Sequence, residues 1–280
     1  MRLKVVLELL LGLLLALANP SVVGSQSGGP PADSEDPSMC QRAGALPIDW
    51  YCWTGIGYSQ GGRPLVVHRL GVGFSRVLVL GGQHGGPESN TIELAGDLLT
   101  YLGSRPEQVP AGVGLDIIVV ANPDGAETGS RKFLSGVDPN RNWGTADWRA
   151  GAWDSNGIFY PSLGGPKPFS EPETRALRDW VLERRPALVV NYHSVGGFMF
   201  GGRDGPSGDL TQAYAGASGY YTPQPNGPRL LGYQVTGSMG AWLREQGLAS
   251  IFVELSTTDD PEFERNLAGL RAVLARLASA

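Results

Sequence analysis

The chain has little histidine, little cysteine and no excess of positive charge. Its 280 residues include three histidines and two cysteines, and the formal net charge is -5 at pH 7. A negative balance lacks the electrostatic footprint that attracts nucleic acid or an anionic membrane. The sequence also contains no internal repeat. We therefore expect no nucleic-acid partner, and the 41% of hydrophobic residues is ample for one large core.

The first 25 residues have the pattern of a secretory signal peptide. Arg2 and Lys4 make a positive start, and residues 5–18 are apolar apart from one glutamate. Small residues at Ala16 and Ala18 form one candidate cleavage site, and a second ends at Ser25. The apolar run is short for a bilayer span, which leaves an uncleaved anchor as the alternative. We expect a secreted or periplasmic protein without stable membrane insertion after signal removal.

Residues 26–54 are predicted to be a flexible linker and a segment bracketed by the two cysteines. Glycine, proline, serine and acidic residues dominate the linker, so it cannot bury a core. In an oxidising compartment Cys40 and Cys52 are expected to pair. Two buried free thiols or a metal role are the alternatives. One folded domain is then predicted from residue 55 to residue 280.

Apolar strand patterns alternate with amphipathic helix patterns along this domain. Pro64–Leu70 and Val77–Leu80 are predicted to pair as a hairpin across a glycine turn. Helices are predicted after Glu88, from Ser170 to Arg185 with Ser170 as the N-cap, and from Pro261 to Leu277. This alternation predicts a single-domain α/β fold, with a mixed, mostly parallel sheet and helices on both faces.

Three apolar runs are followed by side chains that can bind metal or move protons. His84 and Glu88 follow the first run, His193 follows the second and Glu254 ends the third. Imidazole and carboxylate are ligands that zinc prefers, and a catalytic zinc keeps an open position for water. His68 lies within a strand pattern without an acidic neighbour, so we interpret it as structural. The three strand ends are predicted to converge on one site.

Six short motifs follow one another in a characteristic order. They are His84 with Glu88, Asn122-Pro-Asp-Gly125, Gly136-Val-Asp-Pro-Asn-Arg-Asn-Trp143, Pro168-Phe-Ser-Glu-Pro-Glu-Thr174, His193-Ser194 and Phe252-Val-Glu254. In this order they resemble the zinc carboxypeptidases of the carboxypeptidase A type, over roughly residues 55–277. The resemblance implies the zinc carboxypeptidase fold, a monomeric peptide hydrolase and one zinc ion per chain.

The resemblance implies a role for each residue of the metal site. His84, Glu88 and His193 would be the zinc ligands, and zinc would lower the pKa of a bound water to about 7. Glu254 would be the general base that takes the proton of this water. Asp138 would orient His84 from behind.

The resemblance also implies a set of substrate-binding residues. Arg131 would polarise the scissile carbonyl and stabilise the oxyanion. Asn140 and Arg141 would grip the terminal carboxylate of the peptide, since a guanidinium binds a carboxylate in bidentate fashion. Tyr233 would close over the substrate. For Arg131 and Tyr233 the alternatives are an exposed loop cation and a surface aromatic.

Two positions depart from the family pattern. Three residues, Gly85-Gly-Pro87, separate His84 from Glu88, where the family has two, and the glycines make a bulge possible. The position that sets side-chain preference falls on Gly240, so no charge there dictates a basic or acidic substrate. Asp204 falls near a position where basic-specific members carry an aspartate.

These features predict a zinc metallocarboxypeptidase that acts on short peptides with a free C-terminal carboxylate. A close alternative is an amidase that cuts the D-glutamyl–diaminopimelate bond of murein peptides. An aspartoacylase-type acylase would share the fold and the metal site, but Asn140 and Arg141 with Tyr233 favour the peptidase. A binding domain with a vestigial site would need His84 or Glu254 lost, and both are present.

Overall fold

A mixed sheet of seven strands forms the centre of the molecule. The computed structural model describes residues 50–223 and 231–280. In chain order its strands are β1 Tyr51–Tyr58, β2 Pro64–Leu70, β3 Ser75–Leu80, β4 Val113–Ile118, β5 Ala152–Trp153, β6 Phe159–Tyr160, β7 Leu188–Ser194, β8 Phe198–Gly201 and β9 Ser250–Leu255. The large sheet has the order β1-β2-β4-β3-β7-β9-β8, and β5 and β6 form a separate hairpin.

Six α-helices occur within the described ranges, together with two single turns of 3₁₀-helix. The helices are α1 Asn90–Gly103, α2 Pro123–Thr128, α3 Pro172–Arg184, α4 Gly205–Ser218, α5 Met239–Glu245 and α6 Phe263–Ala278. The 3₁₀ turns are Gly86–Glu88 and Pro106–Gln108. None of the described helices is both long and apolar enough to cross a bilayer.

Four neighbouring strands at the middle of the sheet are parallel. They are β4, β3, β7 and β9, and the strands at both edges of this group run antiparallel to it. The carboxyl ends of parallel strands share one edge of a sheet, where α/β proteins place their ligand sites. The predicted α/β class is therefore confirmed, with a mixed sheet around a parallel centre.

Apolar side chains cover both faces of the sheet. Val77 and Val79 of β3 pack into the core beneath α1, α4 and α6, whereas Leu78 and Leu80 pack into the core beneath α3 and α5. All four side chains are fully buried. Burial of each contributes about 1.5–3 kcal/mol relative to an exposed position. The end of β3 is thus anchored from both sides, which makes it a rigid mount for the residues that follow.

The predicted hairpin between Pro64–Leu70 and Val77–Leu80 is wrong. β2 pairs with β1 and β4, whereas β3 pairs in parallel with β4 and β7. A strand that is apolar on both faces is stabilised in the middle of a sheet, where both its faces and both its edges are covered. The buried guanidinium of Arg76 supports this arrangement, because it donates to Asp116 Oδ1 at 2.7 Å and to the Leu115 carbonyl at 2.6 Å on β4.

Two predicted boundaries also shift. The predicted helix from Ser170 is present as α3, but its N-cap residue is Glu171. The Ser170 hydroxyl is engaged elsewhere, because it donates to the Glu171 side chain and accepts from the Asn142 amide. At the other end of the domain, β1 begins at Tyr51, four residues before the predicted start of the domain at residue 55.

The predicted signal peptide (1–25) and most of the predicted linker lie outside the described residues. Cys52 lies on β1 and is disulfide-bonded. Its predicted partner, Cys40, lies outside the described residues. The described residues all belong to one compact unit.

Candidate active site

The carboxyl ends of β3, β7 and β9 bring three of the predicted site residues together. His84 follows β3 by four residues, and His193 and Glu254 lie one residue before the ends of β7 and β9. The sheet register pairs His193 directly with Glu254. The convergence predicted from the three apolar runs is present in the structure.

His84, Glu88 and His193 form a compact buried group of possible metal ligands. The two imidazole Nδ1 atoms are 3.2 Å apart, and each lies 3.0–3.1 Å from an oxygen of the Glu88 carboxylate. One ligand atom from each residue lies within 4.8 Å of the others. Two nitrogens and one carboxylate, aimed at one point, match the donor set of a catalytic zinc.

The Asp138 carboxylate contacts both His84 and Arg131. Its Oδ1 lies 3.1 Å from His84 Nε2, and Oδ2 accepts from Arg131 Nε at 3.3 Å. Burial alone would raise the pKa of Asp138, but Arg131 and His84 hold it well below its usual range. An ionised Asp138 can accept a proton from Nε2, which would leave the lone pair of Nδ1 directed toward Glu88 and His193.

The extra residue between His84 and Glu88 is absorbed by a tight turn. Gly86–Glu88 forms one turn of 3₁₀-helix, and Gly86 has φ +60°, which favours glycine. A Cβ atom on Gly85 would lie 2.3 Å from the Gly125 carbonyl carbon, so no side chain fits there. The two glycines let the loop turn early enough for Glu88 to reach both histidines.

Arg131 lies against the ligand group. Its Nη1 atom donates to Glu88 Oε1. Burial by itself would raise the pKa of Glu88, yet His84 and Arg131 keep it well below its usual range. The carboxylate therefore stays ionised, as a metal ligand requires.

Glu254 lies beside the ligand group. Burial raises its pKa, as does the nearby Glu88 carboxylate, against the lowering effects of His193 and Arg131. A raised carboxyl pKa lies closer to neutral pH, which suits a group that accepts and returns a proton.

Arg141 and Tyr233 lie beside a cavity of about 370 Å³. Trp153 and Tyr233 contribute to the lining of this cavity. Arg141 is 2% exposed and donates through Nε to the Trp153 carbonyl at 3.0 Å and through Nη1 to the Asn140 carbonyl at 2.8 Å. The centroid of the Tyr233 ring is 6.0 Å from the guanidinium carbon of Arg141. Asn140 accepts from the Met239 amide at 2.9 Å, which attaches the Asn140–Arg141 pair to α5.

Comparison with known proteins identifies the family. The model of the zinc carboxypeptidase family matches residues 53–266, which include the whole site. The chain belongs to the zinc carboxypeptidase family. This is a family of zinc-dependent peptide hydrolases. The family membership predicted from the six motifs is therefore confirmed.

Relatives within the family include both amidases and carboxypeptidases. Murein peptide amidase A of Escherichia coli is 31% identical over 192 residues, which is 66% of this chain and 73% of that protein. Carboxypeptidase B of Astacus astacus is 31% identical over 168 residues, 50% of this chain and 52% of the relative. A crystal structure of murein-tripeptide amidase from Escherichia coli has a TM-score of 0.63 at 25% identity and covers 84% of this chain and 97% of its own.

The remaining predicted positions lie elsewhere. His68 is on β2, with Nδ1 2.8 Å from the Tyr51 hydroxyl, which agrees with a structural role. Asp204 is exposed and is the N-cap residue of α4. Gly240 is in the first turn of α5, where a Cβ atom would lie 3.0 Å from the Phe252 ring. A larger residue at this position would therefore have to displace the Phe252 ring by a few tenths of an ångström.

Sequence reasoning did not identify several residues that support the ligands. The Ser194 amide donates to Glu88 Oε2 at 3.3 Å, and the Ser194 hydroxyl donates to Asn90 Oδ1 at 2.9 Å. Asn90 in turn donates to the Thr257 carbonyl at 2.8 Å. Ser194 stands in the His193-Ser194 motif, which was the available signal. The role of Asn90 depends on contacts between segments far apart in the chain, so local sequence carried no sign of it.

Proposed function

We propose that this protein is a zinc-dependent peptidase that removes the C-terminal residue of short peptides with a free carboxylate. One observation carries the proposal: beside the ligand group lies a buried guanidinium, Arg141, with no ion-pair partner among the described residues. The two hydrogen bonds described above for Arg141 go to uncharged backbone carbonyls. Asp138 carries a charge of opposite sign that acts on Arg141, but it makes no ion pair with it. A buried charge without a direct ion-pair partner is costly, and the terminal carboxylate of a substrate would supply one.

His84, Glu88 and His193 would hold the zinc ion. Their two Nδ1 atoms and the Glu88 carboxylate fit it, and Asp138, 3.1 Å from His84 Nε2, would set the required tautomer of His84. Bound zinc would lower the pKa of a coordinated water to about 7, so that hydroxide is available at neutral pH.

The chain's own residues would divide the remaining work. Glu254 would accept the proton of the attacking water and return it to the leaving amine. Arg131 would stabilise the negative charge that develops on the scissile carbonyl oxygen. Asn140 and Arg141 would hold the terminal carboxylate, with Tyr233 beside them over the adjoining cavity. The positions of these side chains around the ligand group support each assignment.

Murein peptides are a second candidate substrate. The similarity to murein peptide amidase A favours them, because it covers 73% of that protein, against 52% of carboxypeptidase B. Hydrolysis of the D-glutamyl–diaminopimelate bond would release a residue with a free carboxylate, so the same residues would serve. A secreted or periplasmic location, which would give access to murein peptides, belongs to this proposal.

The decisive experiment compares one peptide with a free C-terminus and the same peptide with an amidated C-terminus. For the zinc-loaded wild type we expect amidation to lower kcat/KM roughly 10- to 150-fold, the value of one charge-assisted hydrogen bond. Arg141→Met is the matched control, because it removes the charge and should make the enzyme nearly indifferent to amidation. Equal rates of the wild type on both peptides would overturn the exopeptidase function and favour an endopeptidase or an acylase.

A second assay separates the candidate substrates. Release of diaminopimelate from a murein tripeptide is measured beside release of the C-terminal residue from ordinary tripeptides, with N-acetylaspartate as the acylase control. A higher kcat/KM on the murein tripeptide would select the amidase activity. Turnover of N-acetylaspartate alone would exclude both peptidase candidates.

A further inference from the structure

Two buried polar atoms on one strand have no hydrogen-bond partner among the described residues. They are Nε2 of His193 and Oδ1 of Asn191. Their side chains are 3% and 0% exposed. Both residues belong to β7 and are two positions apart, so their side chains project from the same face of the sheet. A buried polar atom without a partner needs an explanation.

The unpartnered atom of His193 is a hydrogen-bond donor when the site holds zinc. Its Nδ1 faces Glu88 and His84 and so supplies the lone pair for the metal. The proton of the neutral imidazole must then be on Nε2. For His84 the equivalent proton goes to the carboxylate of Asp138. For His193 the described residues offer no direct acceptor.

The unpartnered atom of Asn191 is a hydrogen-bond acceptor. The Pro139 carbonyl can only accept, so the Gln83 amide turns its Nε2 toward it, at 3.3 Å. This leaves Gln83 Oε1 to accept from Asn191 Nδ2, at 2.7 Å. The chain of contacts sets the orientation of the Asn191 amide and leaves its Oδ1 free. An unpartnered donor and an unpartnered acceptor therefore share one strand face.

The neighbouring strand affects where the His193 ring lies relative to Asn191. β9 places Phe252 beside Asn191 and Glu254 beside His193. The His193 ring stacks on Phe252, with ring centroids 6.0 Å apart and an interplanar angle of 19°, so the imidazole leans toward the row that holds Asn191. Residues two apart on a strand have Cα atoms roughly 7 Å apart. One water with two hydrogen bonds of about 2.8 Å can bridge side chains at that spacing.

We propose that Asn191 is a positioning residue for His193 and acts through one buried water molecule. The water accepts the proton of His193 Nε2 in a hydrogen bond and donates to Asn191 Oδ1. It thereby holds the imidazole in the tautomer and orientation that bind zinc, as Asp138 does for His84. The two ligand histidines then have unlike supports, one a carboxylate and the other a neutral amide. The inference rests on the zinc centre of the proposed function and not on the choice of substrate.

Two substitutions of Asn191 separate the carbonyl oxygen from the rest of the side chain. Asn191→Leu has a similar shape and removes both the acceptor and the amide donor, whereas Asn191→Asp keeps an acceptor and loses the donor to Gln83. The zinc dissociation constant is measured by competition with a chromophoric chelator. We expect Asn191→Leu to weaken zinc binding 10- to 100-fold, as other changes behind a ligand histidine do, and Asn191→Asp to stay near the wild type. Equal losses in both variants, or no loss in Asn191→Leu, would overturn the proposal.

A high-resolution crystal structure of the zinc-loaded wild type tests the water without any variant. A water molecule within hydrogen-bond distance of both His193 Nε2 and Asn191 Oδ1 is expected. A direct contact between His193 Nε2 and Asn191 Oδ1 without water, or a different acceptor for the Nε2 proton, would refute the bridging water. In solution, long-range proton–nitrogen spectra of the zinc-loaded protein should show a protonated Nε2 on His193. Absence of zinc binding by the wild type would instead refute the proposed function, and a crystal structure of the metal-free protein would then report on the water.

Discussion

His84 and His68 are both buried, and their surroundings differ in one respect. His84 is 1% exposed and contacts Glu88 and Asp138. His68 is 6% exposed and contacts the Tyr51 hydroxyl, with no ion pair to a carboxylate in the described parts of the chain. Burial lowers the pKa of His68 to about 4, so this imidazole stays neutral. Carboxylate partners, rather than burial, distinguish the proposed ligand histidine His84 from the core histidine His68.

The largest expected effect follows from removal of a ligand. His84→Ala should eliminate stoichiometric zinc and with it the activity, because two remaining ligands do not complete a catalytic zinc site. His68→Gln is the matched control, since it alters a buried histidine without touching the ligands and should keep about one zinc per chain. Elemental analysis of the purified proteins gives the metal content. Full zinc occupancy in His84→Ala would show that His84 is not a zinc ligand and would contradict the proposed difference between His84 and His68.

A smaller effect, without metal loss, is expected at Glu254. Glu254→Gln keeps the shape of the side chain but cannot accept a proton, so turnover should fall on the order of 10²- to 10⁴-fold. Zinc content and the unfolding temperature should remain at wild-type values. Activity within a few-fold of the wild type would show that another group acts as the base.

The smallest effect concerns acid stability and His68. Its pKa of about 4 in the folded state lies below the ordinary value of 6.5, so the unfolded chain binds the proton more tightly. The contribution of the neutral imidazole to the free energy of unfolding is fully present above pH 6.5. It is lost as the pH falls from 6.5 toward 4. Between pH 7.5 and pH 5 the wild type should lose on the order of 2 kcal/mol more than His68→Gln. Urea unfolding of both proteins at the two pH values measures this, and parallel losses would contradict it.

The site was more predictable than the sheet. His84, His193 and Glu254 each follow an apolar run, and a run buried on both faces predicts a central parallel strand. Such a run does not specify its neighbours. β4, which separates β2 from β3, begins 33 residues after β3 ends (Leu80 to Val113). Pairing over that distance depends on tertiary packing, including the Arg76–Asp116 contact, and local turn chemistry suggested the wrong partner.

The same limit applies to polar residues within the core. Asn90 and Asn191 are asparagines, a residue type common in helix caps and turns. Their role in the site depends on which groups, distant in the sequence, they contact. Ser170 is the opposite example. Serine is a common N-cap residue, but the Ser170 hydroxyl forms hydrogen bonds with Asn142 and Glu171 and does not cap the helix. Sequence patterns thus predicted which strand ends would carry the proposed ligands. The hydrogen bonds that hold those side chains depend on the tertiary structure and were not predictable.

The pairing of His193 with Glu254 in the β7–β9 ladder has a consequence for how the enzyme responds to heat. Backbone hydrogen bonds between two central strands set the spacing between a proposed ligand and the proposed base. Such bonds open last, when the whole domain unfolds, whereas loops and chain ends open earlier. Heating should therefore affect substrate affinity before it affects the chemical step. The reaction centre itself should be lost in an all-or-none manner, at the temperature at which the sheet melts.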